Sequence, residues 1–140
     1  MRDYALLHVN GVPREVRGRE ALMMLADWLR KEVGLPGTKI VCAEGDCGAC
    51  TVLRAFDAPG TESLDAPFEA MNSCIAIVAQ MDGAHLVTVE GMQDGEALAP
   101  AQEAMRRCHG SQCGFCTPGF VMALSGMLEQ HGGVAVERKV

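Results

Sequence analysis

The 140-residue sequence lacks the marks of several large classes of protein. No apolar run approaches the roughly 18 residues of a membrane span, and Gly, Ser, Gln, Thr and Pro interrupt the longest stretch without charge, 108–128. Basic residues are not in excess. The net charge is −6, which argues against a protein that binds the phosphate backbone of nucleic acids. The first residues contain no apolar segment typical of a signal peptide, so we expect a cytoplasmic protein.

Motifs of substrate-converting enzymes are also missing. There is no GxGxxG, no phosphate-binding P-loop and no serine or histidine nucleophile pattern, so no catalytic residue is proposed. Aromatic residues make up only 4% of the chain. Hydrophobic residues nevertheless reach 49% and charged residues 21%, which is typical of a folded domain and excludes a disordered chain.

Cysteine, in contrast, is abundant, with seven residues in the chain. An odd number, in a sequence without signs of secretion, does not fit a framework of disulfides. Clustered cysteines in a cytosolic protein more often bind metal or carry out redox chemistry. The nine methionines are interpreted as core residues.

Local patterns predict an α+β fold followed by two helices. Asn10-Gly11 predicts a β-hairpin, and apolar residues at helical spacing predict one helix over 21–33. The other predicted elements are strands over 4–9, 12–17, 51–55 and 86–89, loops over 38–50 and 56–70, and helices over 100–108 and 120–130. Because the composition changes after Gly91, we place a domain boundary near residue 92.

The first four cysteines have the spacing of a plant-type [2Fe–2S] site. They are Cys42-x4-Cys47-x2-Cys50, followed after 23 residues by Cys74. A two-iron cluster needs four thiolates, and a loop that supplies three of them must curl tightly. Gly45 and Gly48 are candidate cofactor-binding residues, because glycine takes the positive φ angles that aim N–H groups at sulfur.

A second motif, Cys113-x2-Cys116, is less specific, because zinc, iron and redox sites all use it. A zinc ribbon formed with Cys47 and Cys50 would need far fewer residues between the two cysteine pairs. A thioredoxin-like site would need a βαβ unit around the motif. A second [2Fe–2S] cluster would lack two ligands within the chain. Cys108 is interpreted as a core residue, and the four scattered histidines are not proposed as ligands.

Together, the two motifs resemble the iron–sulfur subunit of the molybdenum hydroxylases, the family of xanthine dehydrogenase, aldehyde oxidoreductase and carbon monoxide dehydrogenase. The resemblance rests on Gly37-Thr-Lys through Cys42-Ala-Glu-Gly-Asp-Cys47-Gly-Ala-Cys50-Thr-Val and on Gly110-Ser-Gln-Cys113-Gly-Phe-Cys116-Thr-Pro-Gly119. Val9-Asn10-Gly11 and Asp27-Trp28-Leu29-Arg30 extend it over nearly the whole chain.

This resemblance implies a fold, a function and partners. Residues 1–92 would form a β-grasp, ferredoxin-like [2Fe–2S] domain, and 93–140 the first part of a helical-bundle [2Fe–2S] domain. Cys113 and Cys116 match ligands of a second cluster, and Gln112 matches a residue that contacts the pterin of the molybdenum cofactor. The chain would relay electrons from molybdopterin on a large subunit to FAD on a medium subunit, or to another acceptor.

Three departures from the family pattern accompany the resemblance. The C-x-C pair that completes the second cluster is absent, and we expect the chain to be truncated before it, since two amphipathic helices alone would expose a large apolar face. Ile40-Val41 precede Cys42, where a small residue is usual. The long gap between Cys50 and Cys74 favours a xanthine dehydrogenase-like subunit.

Two other functions remain open at the level of sequence. One is a free-standing ferredoxin with a single [2Fe–2S] cluster, which would carry electrons in solution. The other is an interaction module stabilised by zinc, which is redox-silent.

Overall fold

A mixed β-sheet with the strand order β2-β1-β5-β3-β4 is the centre of the computed structural model, which describes residues 2–57, 66–133 and 136. The strands are β1 (Ala5–Val9), β2 (Val12–Val16), β3 (Thr51–Phe56), β4 (Glu69–Asn72) and β5 (Ala84–Val87). The α-helices are α1 (Gly18–Ala21), α2 (Leu25–Lys31), α3 (Pro100–Arg107) and α4 (Thr117–Gln130). Short 3₁₀ turns occupy Ser73–Ile75, Val78–Met81 and Val89–Met92.

Strand pairing begins with the predicted hairpin. Asn10 and Gly11 have φ angles of 51° and 80°, as a type I′ turn requires, and β1 and β2 pair antiparallel around them. β1 also pairs parallel with β5, where His8 lies opposite His85. β5 and β4 then pair antiparallel with the two edges of β3. The end of the cysteine loop, which leads into β3, is thereby placed beside the end of β4, which leads to Cys74.

Helix α2 covers one face of the sheet. Its buried Leu25, Trp28 and Leu29 pack with Leu7 and Val52 in one core cluster. Complete burial of a leucine side chain stabilises a fold by about 1.5–3 kcal/mol. This face therefore anchors the two ends of the cysteine loop, which leaves α2 and enters β3.

Helix α4 covers the opposite face. Leu53, the neighbour of Val52 along β3, packs with Phe68, Val121 and Met122 in a second cluster. Alternate residues of a strand point to opposite faces, so the sheet is buried between α2 and α4. The segment that carries the second cysteine motif is therefore packed against the segment that carries the first motif. Among the described residues, no helix combines the length and apolar character needed to cross a membrane.

Three elements differ from the sequence predictions. The helix predicted over 21–33 is divided, because the backbone of Met23 and Leu25 bonds to Val78 and Ala76 instead of continuing a helix, and Leu22 is 71% exposed. β4 begins in the last two residues of the segment predicted as a loop over 56–70 and continues to Asn72, while 58–65 of that segment are outside the described residues. α4 begins at Thr117, before the predicted Phe120, because proline is accommodated in the first turn of a helix.

Candidate metal centre

The loop between α2 and β3 curls back on itself at three left-handed positions. Ala43, Gly45 and Gly48 have φ angles of 57°, 81° and 73°. The two glycines adopt this conformation without the steric cost that a Cβ would add. The curl directs backbone N–H groups toward the side chain of Cys42.

The Cys42 sulfur accepts a backbone hydrogen bond within this curl. The N–H of Cys47 lies 3.4 Å from Cys42 Sγ. The backbone N–H groups of Cys47, Glu44 and Asp46, in that order of effect, lower the pKa of the Cys42 thiol to about 6. Since the thiolate is the form that binds metal, the loop holds one ligand ready at neutral pH.

Cys50 and Cys74 are buried beside each other, next to Ala26 and the half-buried Ile40. Burial, followed by the neighbouring Cys50 side chain, raises the pKa of Cys74 to about 11, although the Gly45 N–H opposes this shift. A thiol with this pKa is neutral until a cation replaces its proton, and a coordinated metal ion deprotonates a thiol outright. The Cys74 sulfur is therefore suited to a metal ion and poorly suited to a free thiolate.

Two side chains join the segment before Cys74 to the cysteine loop. Ser73 Oγ donates to the carbonyl of Cys50 at 2.6 Å, and the Ser73 side chain is fully buried. Asn72 Nδ2 donates to the carbonyl of Gly45, also at 2.6 Å. Neither residue was predicted from the sequence. Their only signal was their position, as two polar residues directly before a buried cysteine.

The four thiols do not converge on a single point. Within the described part of the chain, no three His, Cys, Asp or Glu side chains are arranged to hold one metal ion. A [2Fe–2S] cluster has two irons, each bound by two of four thiolates, and so does not require such convergence. Four thiols, two of them buried and one surrounded by N–H donors, fit a two-iron cluster better than a single zinc ion.

The second cysteine motif lies on the surface. Cys113 and Cys116 are exposed, and Cys116 is the N-cap of α4. Gln112, between α3 and Cys113, is exposed as well. No described cysteine or histidine completes a site with this pair, since the part of the chain that the structure describes contains no such group.

The prediction that Cys108 belongs to the core is wrong. Ala101 and Met105 face the second core cluster, but α3 ends at Arg107, and His109 follows in a left-handed conformation with φ of 51°. Cys108 therefore caps the helix and is exposed.

The two cysteine motifs meet where α4 crosses the loop. Cys47 and Cys116 line the same cleft of about 130 Å³. Gly119 is buried at this crossing, and a Cβ built on it would lie 2.3 Å from the carbonyl oxygen of Gly48. The Lys39 ammonium also lies 5.9 Å from the centre of the Phe115 ring, which links the two loops a second time. The fold thus brings together segments that the sequence analysis treated as separate.

Comparison with known proteins identifies both halves of the chain. The profile described as "2Fe-2S iron-sulfur cluster binding domain" matches residues 7–79, and "[2Fe-2S] binding domain" matches 88–138. Xanthine dehydrogenase of Blastobotrys adeninivorans is 46% identical over 127 residues, which are 90% of this chain and 9% of that protein. Aldehyde oxidase 1 of Rattus norvegicus is 39% identical over 127 residues, which are again 90% of this chain and 9% of that protein.

Solved structures agree with these sequence relatives. Quinoline 2-oxidoreductase from Pseudomonas putida 86 superimposes with a TM-score of 0.72 and 39% identity, over 89% of this chain and 69% of that chain. Aldehyde oxidoreductase from Desulfovibrio gigas has a TM-score of 0.75 and 33% identity, over 91% of this chain and 13% of that chain. The present chain spans about a tenth of the length of the sequence relatives named above.

Proposed function

Because the chain belongs to the [2Fe–2S] proteins of the xanthine dehydrogenase and aldehyde oxidase family, we propose that it relays electrons as the iron–sulfur part of a molybdenum hydroxylase. The family matches confirm the predicted relationship and the α+β fold of a ferredoxin-like domain followed by a helical [2Fe–2S] domain. The domain limits of 1–92 and 93–140 remain predictions.

The first cluster is proposed to lie between the cysteine loop and the turn after β4. Its ligands would be Cys42, Cys47, Cys50 and Cys74. One observation carries this assignment: Cys50 and Cys74 are buried side by side, so that the turn after β4 meets the cysteine loop. When bound, a [2Fe–2S] cluster accepts and releases electrons, at a potential set by its hydrogen bonds and its exposure to solvent.

The chain's own residues prepare this site in three ways. Gly45 and Gly48 allow the loop to curl, and the N–H groups of the curl stabilise negative charge on sulfur. Burial of Cys50 and Cys74 excludes water from one side of the proposed cluster site. The hydrogen bond of Ser73 to the Cys50 carbonyl holds the distant ligand against the loop.

Cys113 and Cys116 are proposed to supply two thiolates of a second cluster. Their remaining two partners would have to come from elsewhere, because a [2Fe–2S] cluster needs four protein ligands. The shared cleft of Cys47 and Cys116 supports this proposal, since it places both cysteine motifs at one crossing.

The proposed partners are a molybdopterin-binding subunit or domain and an FAD-binding one, with Gln112 directed toward the pterin. The relatives named above are much longer than this chain, which favours a part of a larger assembly. Phe120, Leu124 and Met127 recur at helical spacing on α4 and are 59%, 37% and 49% exposed. An exposed apolar strip of this kind favours a covered surface over a free-standing carrier. A cytoplasmic location remains a prediction.

Anaerobic reconstitution with iron and sulfide tests the first cluster. We expect about two irons and two sulfides per chain, and a visible absorption that dithionite bleaches. Cys47→Ser should abolish this absorption or greatly reduce it. Cys108→Ser is the matched control, because Cys108 is exposed and lies outside the proposed ligand set. A colourless protein that binds zinc in preference to iron would refute the proposal.

A further inference from the structure

The second cysteine motif is an exposed and tightly turned loop. Cys113 and Cys116 are both exposed, and the backbone bends sharply at and between them. Gly114, which lies between the two cysteines, has a left-handed φ of +85°. The ends of the loop are tied together, because the Thr117 hydroxyl donates to Ser111 Oγ at 2.7 Å. The loop therefore keeps its two thiols within one short turn at the surface.

The pair stands alone within the part of the chain that the structure describes. No His, Asp, Glu or further Cys side chain there joins the two thiols in a group that could hold a metal ion. Two thiolates do not hold a [2Fe–2S] cluster, which takes four protein ligands. Until two more ligands reach the pair, both thiols are therefore open to other chemistry.

The surroundings of this pair favour anionic reagents. Residues 104–128 contain two arginines and no Asp or Glu. The Lys39 ammonium lies 5.9 Å from the centre of the Phe115 ring, and Lys39 forms no ion pair with any residue that the structure describes. The cysteine loop of the first site instead carries Glu44 and Asp46. A small anion is therefore attracted to the second motif and repelled by the first.

We propose that Cys113 and Cys116 are a site of reversible oxidation, at which an anionic low-molecular-weight disulfide such as glutathione disulfide converts the two thiols into one intramolecular disulfide. Exposed thiols with a second cysteine close by are typical of thiol–disulfide exchange. The consequence for iron rests on the proposed function, in which the same pair supplies ligands of the second cluster. Oxidation would withhold both ligands from that cluster until a reductant returned them.

The reaction consists of two exchanges. One protein thiolate attacks a sulfur of glutathione disulfide and displaces a glutathione thiolate, which leaves a mixed disulfide on the protein. The second protein thiol then loses its proton, attacks the protein sulfur of the mixed disulfide and displaces the other glutathione. The two cysteines lose two electrons, the small disulfide is reduced to two thiols, and the two protons pass to them.

The experiment treats the reconstituted chain with glutathione disulfide and counts its free thiols. Four of the seven cysteines would be held by the first cluster, so we expect three free thiols before oxidation and one afterwards. A non-reducing peptide map should join Cys113 to Cys116, and dithiothreitol should restore both thiols. Cys108→Ser is the matched control, since Cys108 is exposed in the same part of the chain and its loss should leave the disulfide unchanged. Cys113→Ser should leave a stable glutathione adduct on Cys116.

Lys39→Met tests the preference for an anionic oxidant. The variant removes the ammonium beside Phe115 and keeps the hydrogen bond from the backbone N–H of residue 39 to the Ala49 carbonyl. It should lose its thiols more slowly than the wild type with glutathione disulfide, but not with the cationic disulfide cystamine. An unchanged rate with glutathione disulfide would overturn the choice of an anionic oxidant.

Other results would overturn the disulfide itself. One is the persistence of all three free thiols in the oxidised sample. Another is a disulfide from Cys108 to either cysteine, or glutathione adducts that persist separately on Cys113 and Cys116, since the two thiols would then not meet. A chain that takes up no iron would instead refute the proposed function, and the peptide map of the metal-free chain would still decide whether the disulfide forms.

Discussion

Gly119 of α4 packs directly on the carbonyl of Gly48 in the cysteine loop, and no side chain separates them. A Cβ on Gly119 would lie 2.3 Å from the Gly48 oxygen and 3.0 Å from Ala49 Cα. Both neighbours are backbone atoms, which cannot rotate out of the way. The close approach of the two cysteine motifs therefore depends on the absence of a side chain at position 119.

Gly119→Ala should destabilise the protein even though alanine is the better helix former. The gain in helix propensity is about 1 kcal/mol, whereas forced overpacking costs about 1–3 kcal/mol. We expect a net decrease in the free energy of unfolding, measured with urea. Gly126→Ala, in the same helix, is the milder comparison, because a Cβ there would lie 3.0 Å from the Leu53 side chain and no nearer than 3.3 Å to a backbone atom outside α4. Equal effects of the two substitutions would contradict the special role of the Gly48 contact.

Met122→Ala tests whether the packing of α4 on the sheet stabilises the fold. Met122 is fully buried against the second core cluster, and truncation of such a residue costs about 2–5 kcal/mol. Met127→Ala is the control, since Met127 is 49% exposed and exposed substitutions change stability by about 0.5 kcal/mol or less. Chemical denaturation of the two variants gives the comparison. If Met122→Ala proved as mild as Met127→Ala, α4 would not be packed on the sheet.

The lowered pKa of His8 predicts a loss of stability in mild acid. The rings of His8 and His85 stack with their centres 4.4 Å apart, and Asp57 Oδ2 lies 3.3 Å from His85 Nε2. Burial, and then the neighbouring His85, lower the pKa of His8, while Asp57 opposes the shift. The unfolded chain therefore takes up a proton first as the pH falls through the usual histidine range of about 6.5, and stability decreases below it.

His8→Gln separates this effect from the titration of carboxylates. We expect the difference in unfolding free energy between pH 7.5 and pH 5.5 to be smaller in the variant than in the wild type. Identical pH dependence in the two proteins would show that the titration of His8 does not contribute.

Alkylation of the metal-free protein tests the electrostatics of the cysteine loop. Because the pKa of Cys42 is about 6 and that of Cys74 about 11, Cys42 should react with iodoacetamide at pH 7 while Cys74 remains unmodified. Mass spectrometry of proteolytic fragments measures both sites. In denaturant, where the backbone N–H groups no longer surround the sulfur, the difference should disappear. A Cys42 that reacts only above pH 8 in the folded protein would contradict this description of the loop.

Features that depend on neighbouring residues were predictable from the sequence. Asn10-Gly11 predicted the hairpin because both residues tolerate positive φ angles, and Pro100 marked the start of α3. The two cysteine motifs predicted the family and its [2Fe–2S] domains, which the comparisons confirm, because three of the four proposed ligands of the first cluster follow one another closely along a loop. The individual ligand assignments remain predictions.

The tertiary structure alone decided which of these segments meet. The division of the predicted helix between α1 and α2 follows from backbone pairing with residues 76–78, and the exposure of Cys108 follows from the end of α3. Neither is a property of local periodicity. The contacts of Asn72 with Gly45 and of Gly119 with Gly48 join distant parts of the chain. The residue types along the sequence determine what the cysteine loop can bind. Packing across the sheet determines which distant residues contact the loop, because those contacts depend on how the helices and strands fit together in space.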